Sequence, residues 1–423
     1  MIGAFLRNRM FWILDFLKGG KIKKYYKQVK YDMENNVNND FKIKSLMNYI
    51  KINVPYYKAF VSVEKFEHLP VLNKNIYMEN YNDFIGVDYK NVKLHEVSTS
   101  GSTGIPFKCV QDVDKRNKHT ADLIYFHKKC GWNIGDRYIF MRAWTSLYDN
   151  SKMNSVKNNV ISIDVVSLNE ETIKKILKRI RTDKSIKMIL GYGSSFNQIA
   201  SYMMKNDICV NSGVKTIISD SDFIEPKYRK ELERRFGCSV VDRYSNEEHG
   251  LLAFSYKSGT PYEVNRSSYR IEILDMNSNN YAEVGEVGRI IITDLYNKAM
   301  PLVRYEVGDL GIALDNTRDV HFLKCLQGRT ADMIIISNGN KISSATINNY
   351  FEKMKKIKQY QLIQNDVNVF TLNVVEYSEG YSDNEYSELI NSFYMGSAKL
   401  KINRVNKISV QKNGKYKVVI GMN

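Results

Sequence analysis

Between residues 120 and 245 the apolar positions follow two alternating periods. Spacing by threes and fours predicts helices at 121–131, 170–181, 196–205 and 226–236. The short apolar runs between them predict strands at 138–144, 186–190, 214–218 and 239–242. Pro226 suits the first turn of its helix and Gly237 its C-terminal stop. Strands separated by helices of this length imply βαβ units and a parallel sheet. The pattern then changes: 269–274, 289–295 and 302–305 read as short strands broken by Gly285, Gly288, Pro301 and Gly308, a more antiparallel β layer. After Gly328-Arg329 come a strand at 333–336, a helix at 345–355, two β segments around 358–376, a helix at 385–393 and a β-rich tail. The predicted class is α/β: a large N-terminal domain (1–330) of parallel sheet plus β layer, and a small α+β C-terminal domain (331–423).

Length and composition narrow the picture. At 423 residues the chain exceeds one compact core, and 43% hydrophobic content suits globular domains rather than disorder. The five cysteines are odd in number, with no Cys-x-x-Cys, and the six histidines have no metal-ligand spacing. A disulfide framework and a structural zinc site are therefore not expected, and a reducing cytoplasm fits. The net charge of +16 is spread along the chain and accompanied by no nucleic-acid-binding motif. We expect no nucleic-acid partner; the field would help collect a phosphorylated substrate. Near the N-terminus, Met10–Leu17 is apolar apart from Asp15 and precedes the basic stretch Lys21–Lys30. It is too short to span a bilayer, and its charge follows the apolar run, the wrong order for a secretion signal. Two readings stay open: the segment packs on the body of the protein, or it lies on a membrane surface as an amphipathic helix.

The chemistry concentrates in a few segments. Residues 98–107 read Ser-Thr-Ser-Gly-Ser-Thr-Gly-Ile-Pro-Phe, after the strand-like Val92, Leu94 and Val97. Hydroxyls and glycines in such a turn converge N–H and O–H donors on an anion, the layout of a phosphate cradle. The Gly-Lys-Ser/Thr ending of a P-loop is missing. Four further segments follow in order: Asp242-Arg-Tyr-Ser-Asn-Glu-Glu-His-Gly250 after a predicted strand, Arg304-Tyr-Glu-Val-Gly-Asp309, Gly328-Arg-Thr-Ala-Asp332 at the domain junction, and Lys412-Asn-Gly-Lys-Tyr416. Strand ends are where α/β ligand sites form.

This ordered set resembles the adenylate-forming superfamily of acyl- and aryl-CoA synthetases, luciferases and peptide adenylation domains. Gly191-Tyr-Gly-Ser-Ser195, Phe236-Gly-Cys238, Tyr244–Gly250 and Ala299–Tyr305 are most similar to the phenylacetate–CoA ligase branch, and within it to CapK-like proteins of capsular polysaccharide biosynthesis. The resemblance covers residues 50–423 and implies roles residue by residue. Ser98, Thr99, Ser100, Gly101, Ser102, Thr103 and Gly104 would cradle the β- and γ-phosphates of ATP. Tyr244 would stack on adenine in a nucleotide site that includes Asp220, Asp242 and Arg243. Glu248 would bind Mg²⁺. Asp309 would accept the ribose hydroxyls, and Arg329 would contact ribose or phosphate. Lys415 would bridge substrate carboxylate and α-phosphate, offsetting the charge that develops as pyrophosphate leaves. Arg142, Trp144, Tyr192, Gly193 and Ser194 would line a mixed polar and aromatic acyl pocket.

The implied function is an ATP-dependent, AMP-forming ligase for a small carboxylic or amino acid, its C-terminal domain rotating as a lid between half-reactions. The acceptor would be coenzyme A, a carrier thiol or an amine, and the protein a monomer or homodimer. Two positions depart from the pattern. The superfamily has Thr-Glu where Glu247-Glu248 stands, and Asp or Lys where Ala331 stands. A second carboxylate at Glu247 would either point away from phosphate or strengthen Mg²⁺ binding. These departures motivate the alternative of a catalytically silent nucleotide-binding scaffold in a glycan-synthesis assembly.

Overall fold

The structure, a computed structural model, describes residues 2–98, 107–142, 159–165, 168–220, 224–257, 259–329, 334–337, 339, 341–342, 347, 350–351, 354–377, 379–408 and 417–422. The chain divides into two compact units, residues 1–307 with 313–324, and residues 308–312 with 325–423.

A 12-stranded sheet dominates the first unit. Strands Val160–Asp164, Arg137–Arg142, Ile186–Tyr192, Thr216–Asp220 and Ser239–Asn246 lie side by side in that order, all parallel. Gly250–Ser255 then turns back antiparallel, pairing Tyr244 with Ala253 and Asn246 with Gly250. Beyond it the order continues through Tyr262–Val264, Phe322–Arg329, Tyr305–Ala313, Val287–Asp294 and Tyr269–Leu274. The change from parallel to antiparallel follows the change of pattern in the sequence.

Consecutive residues of a strand point to opposite faces, so a strand apolar at every position must be covered on both. Ile189, Ile217 and Val240 pack under helices Glu170–Thr182, Gly193–Lys205 and Pro226–Phe236. Their neighbours Leu190, Ile218 and Val241 pack with Val29, Ala121 and Phe126, from helices Lys21–Glu34 and Val113–Lys129 on the other face. Helix Val113–Lys129 begins earlier than its apolar spacing predicted, because Asp112 caps it by accepting from the Lys115 amide at 2.7 Å. Pro226–Phe236 has the predicted bounds and stops at Gly237, whose φ is +63°. One expectation is corrected and several elements are added. The strand expected at 302–305 starts only at Tyr305 and runs to Ala313, because Arg304 turns the chain at a φ of +46°. Strand Val160–Asp164 and helices Lys21–Glu34 and Asp40–Asn53 were not anticipated, and helix Ile2–Leu17 starts eight residues before the Met10–Leu17 segment singled out in the sequence.

The second unit has its own core. Ile357–Asp366 and Val369–Glu376 form an antiparallel hairpin flanked in parallel by Val419–Ile420 and Lys399–Arg404. Helix Asp383–Tyr394, closed by a Ser382/Glu385 capping box, contributes Tyr386 and Ile390 to a core with Leu362, Phe370 and Leu372.

Candidate functional site

The carboxyl ends of the parallel strands carry the polar residues that the apolar pattern leaves over. Register pairs Met141 with Gly191, Gly191 with Ser219 and Ser219 with Asp242. Gly191 is required there, since a Cβ would lie 2.9 Å from the Met141 Cβ. One residue further on stand Arg142, Tyr192, Asp220 and Arg243, the last three paired in register. Asp220 accepts from Arg243 Nη2 at 2.6 Å and Nε at 3.3 Å, and from Ser245 Oγ at 2.7 Å. Tyr192 is buried and immediately precedes helix Gly193–Lys205, whose first turn holds Gly193 and Ser194.

Asp242 points to the opposite face. It accepts from Arg229 Nη2 at 2.6 Å while Arg229 Nη1 donates to the Val240 carbonyl at 3.0 Å, tying helix Pro226–Phe236 to the sheet. Burial raises the Asp242 carboxyl above its ordinary value, and Arg229 opposes that shift.

Glu247 and Glu248 sit in the turn between Ser239–Asn246 and Gly250–Ser255, in different surroundings. Glu247 pairs with Arg142 Nη2 at 3.3 Å. Its charge also favours the cation of Arg116, which burial disfavours. Glu248 has its main-chain carbonyl held by Gln111 Nε2 at 2.9 Å and its Oε1 3.5 Å from the Tyr305 hydroxyl. Gln111 ends the hairpin His95–Ser98/Lys108–Gln111, whose connecting loop is the Ser/Thr/Gly segment. Three segments far apart in sequence thus meet at Glu248: the Gln111 end of the hairpin, the 242–250 turn and Tyr305. Buried Cys109 registers the same carboxylate, since burial first and the charge of Glu248 next push its thiol up.

A buried polar layer supports this turn from below. Lys115 lies 2.5 Å from Asp294 and donates to the Tyr269 hydroxyl at 2.8 Å. Tyr269 in turn donates to the His249 carbonyl, and the His249 amide donates to Asn246 Oδ1 at 2.8 Å. Lys118 pairs with Asp122 at 2.6 Å, both side chains fully enclosed. Gly250 has a φ of +97°, and a Cβ there would lie 2.3 Å from His119 Nδ1, so glycine is needed to close the turn. Burial drives His249 and His127 down to about 3, leaving both rings neutral.

Of the residues singled out in the sequence, Ser98 closes the hairpin opposite Lys108, and Tyr244 lies on strand Ser239–Asn246. Asp309 lies on Tyr305–Ala313, and Arg329 ends Phe322–Arg329. Thr99, Ser100, Gly101, Ser102, Thr103, Gly104, Trp144, Ala331 and Lys415 lie outside the described residues. Sequence reasoning missed Gln111, Lys115, Tyr269 and Asp294. Polar residues that serve main-chain or buried partners leave no periodic signal.

Comparison with known proteins agrees with this architecture. Residues 334–422 match the family model of the CapK C-terminal domain. Protein CapK of Staphylococcus aureus is 22% identical over 442 aligned positions, covering 96% of this chain and 94% of the relative. The phenylacetate–coenzyme A ligase of Escherichia coli is 29% identical over 120 residues, 27% of this chain and 28% of that one. Among solved structures, 2-hydroxyisobutyryl-CoA ligase in the postadenylation state with 2-HIB-AMP shares the fold at a TM-score of 0.66 and 18% identity, over 90% of this chain and 88% of that one.

Proposed function

We propose that this CapK-like member of the adenylate-forming superfamily is an ATP-dependent, AMP-forming ligase for a small polar carboxylic acid. The observation that carries the reading is the junction at Glu248, where Gln111 ties the hairpin of the Ser/Thr/Gly loop to the acidic turn. Hydroxyl and amide donors of the kind the Ser/Thr/Gly sequence supplies, together with a carboxylate, suit a nucleotide's phosphates and their cation. Magnesium takes one or two carboxylates and fills its remaining positions with water and phosphate oxygens. Among the described residues no three His, Cys, Asp or Glu gather as a dedicated cage, so Glu248 with phosphate oxygens is the donor set that fits. Bound there, the ion would neutralise phosphate charge.

In the first half-reaction a carboxylate oxygen of the substrate attacks the α-phosphorus of ATP. The bond to the β-bridging oxygen breaks and pyrophosphate leaves. Ser98 and the loop hydroxyls would orient the β- and γ-phosphates, Tyr244 the adenine, Asp309 the ribose, Arg329 ribose or phosphate, and Lys415 the reacting carboxylate. In the second, a nucleophile takes the acyl group and AMP leaves; coenzyme A is the acceptor that the named CoA-ligase relatives favour. A lid motion of the C-terminal unit would exchange the two arrangements. The pairs Arg142–Glu247 and Asp220–Arg243 support a polar acyl pocket and disfavour a fatty chain. The CapK likeness extends the proposal to surface-polysaccharide assembly. Glu247, which together with Ala331 motivated the silent-scaffold alternative, is paired with Arg142, which removes that part of its support.

The test is exchange of labelled pyrophosphate into ATP with Mg²⁺ across amino, hydroxy, aromatic and uronic acids. Exchange with one of them is expected. Lys415→Ala should lower it about 10²-fold or more, the scale of one transition-state donor. Exchange retained in that variant, or binding of ATP without exchange for any acid, would overturn the assignment.

A further inference from the structure

Helix Ile2–Leu17 is inside out. Arg7, Asn8 and Asp15 face the protein: Arg7 Nε donates to the Gly135 carbonyl at 2.8 Å and Asn8 Nδ2 to the Ile134 carbonyl at 3.1 Å. Asp15 is buried and accepts from the Ile22 and Lys23 amides at 3.1 and 2.9 Å, capping the next helix. Phe5, Leu6, Met10, Ile13, Phe16 and Leu17 point outward and are 58–76% exposed. At 100° per residue these six fall within one half of the helix surface. A helix on a globular body normally buries its apolar stripe. A contiguous apolar face left in water marks an interaction site.

The charges on the face and on the helix that follows it choose its partner. Arg9 lies on the face, its guanidinium 5.0 Å from the Phe5 ring, and Lys18 follows its end. The next helix, Lys21–Glu34, exposes Lys23, Lys24, Lys27 and Lys30. Arginine and lysine keep an apolar stem in contact with hydrocarbon while the charge reaches the headgroups. A second copy packed symmetrically on this face would oppose these cations to themselves. We propose that helix Ile2–Leu17 is an interfacial anchor, lying flat on an anionic lipid bilayer with its outward face in the headgroup–acyl boundary. Sixteen residues span about 24 Å, short of a hydrocarbon core of about 30 Å, so the helix lies along the surface. The anchor stands independently of the ligase reading.

The experiment is flotation of the full chain with phosphatidylcholine vesicles, with and without phosphatidylglycerol. Binding to the anionic vesicles is expected, at least tenfold stronger than to the neutral ones and weakened by salt. Leu6→Asp/Ile13→Asp should abolish it, and Arg9→Gln/Lys18→Gln should weaken it roughly tenfold or more, at about 1 kcal/mol per charge. These side chains are solvent-facing, so thermal melts and pyrophosphate exchange should not move. Failure to float would overturn the proposal, as would flotation indifferent to Leu6→Asp/Ile13→Asp. So would a concentration-dependent dimer that this pair of changes dissolves in the absence of vesicle binding.

Discussion

The charges below the 247–250 turn and those around it obey different physics. Beneath it, Lys115–Asp294 and Lys118–Asp122 have side chains no more than 2% exposed. Around it, Arg142–Glu247 is 15% and 41% exposed, while Asp220–Arg243, 11% exposed on each side, stands between the two cases. A charge in the enclosed layer has no solvent to fall back on, so its partner is obligatory. A rim charge with water at hand can change partners when a ligand arrives. The enclosed layer therefore fixes the backbone of the acidic turn, and the rim is free to respond to substrate.

The largest effect should come from breaking the enclosed layer. Lys115→Met removes the cation and leaves Asp294 and the Tyr269 hydroxyl short of a partner. We expect a loss of about 3–5 kcal/mol in denaturant unfolding of the first unit. If the loss is below about 1 kcal/mol, Lys115 is not a structural cation and the contrast with the rim collapses.

A second, smaller effect is set by pH. His127 is held at about 3 in the folded protein, first by burial and then by the cation of Arg243. Its unfolded value is about 6.5. Between these values the unfolded chain binds a proton that the folded one refuses. The contribution to stability is thus complete above about pH 6.5 and is lost as pH falls toward 3, by up to about 1.4 kcal/mol per pH unit. His127→Gln should flatten the fall by that amount while leaving stability at pH 8 less dependent on the change. Parallel pH profiles of the two proteins would show His127 to be solvated.

How much of this was legible follows from which signals are periodic. Strands Ile186–Tyr192 and Thr216–Asp220 announced themselves through the consecutive apolar residues Met188–Leu190 and Ile217–Ile218 that cover on both faces requires, although the second lies two residues beyond the predicted 214–218. Helix Glu170–Thr182, burying Ile173, Ile176, Leu177 and Ile180, is the same argument at helical spacing. Val160–Asp164 was missed: its central Ser162 interrupts a set of only three apolar residues, too short to count. In helix Ile2–Leu17 an apolar face is evident, yet periodicity says only that a face exists. Which way it points depends on Arg7, Asn8 and Asp15 finding partners on the body. The site was legible where glycine and acidic residues cluster, in 242–250. The contacts that join motifs, Gln111 to Glu248 and Arg142 to Glu247, link residues 137 and 105 positions apart, and no local pattern encodes such pairs.

The smallest effect on stability is the most informative about chemistry. Glu247 is 41% exposed, so Glu247→Gln should cost well under about 1 kcal/mol. The two adjacent carboxylates part company in activity. Glu248 is gripped through its main chain by Gln111 and faces Tyr305, whereas Glu247 turns toward Arg142 and Arg116. If that division holds in the working enzyme, Glu248→Gln should raise the Mg²⁺ concentration for half-maximal pyrophosphate exchange by about tenfold or more. Glu247→Gln should leave it within about twofold. Freed of its carboxylate, Arg142 would draw an anionic substrate more strongly, so the KM for the acid should fall with kcat little changed. An equal shift in Mg²⁺ requirement for both variants would place Glu247 on the metal, and the rim pair would then be a resting arrangement that substrate undoes.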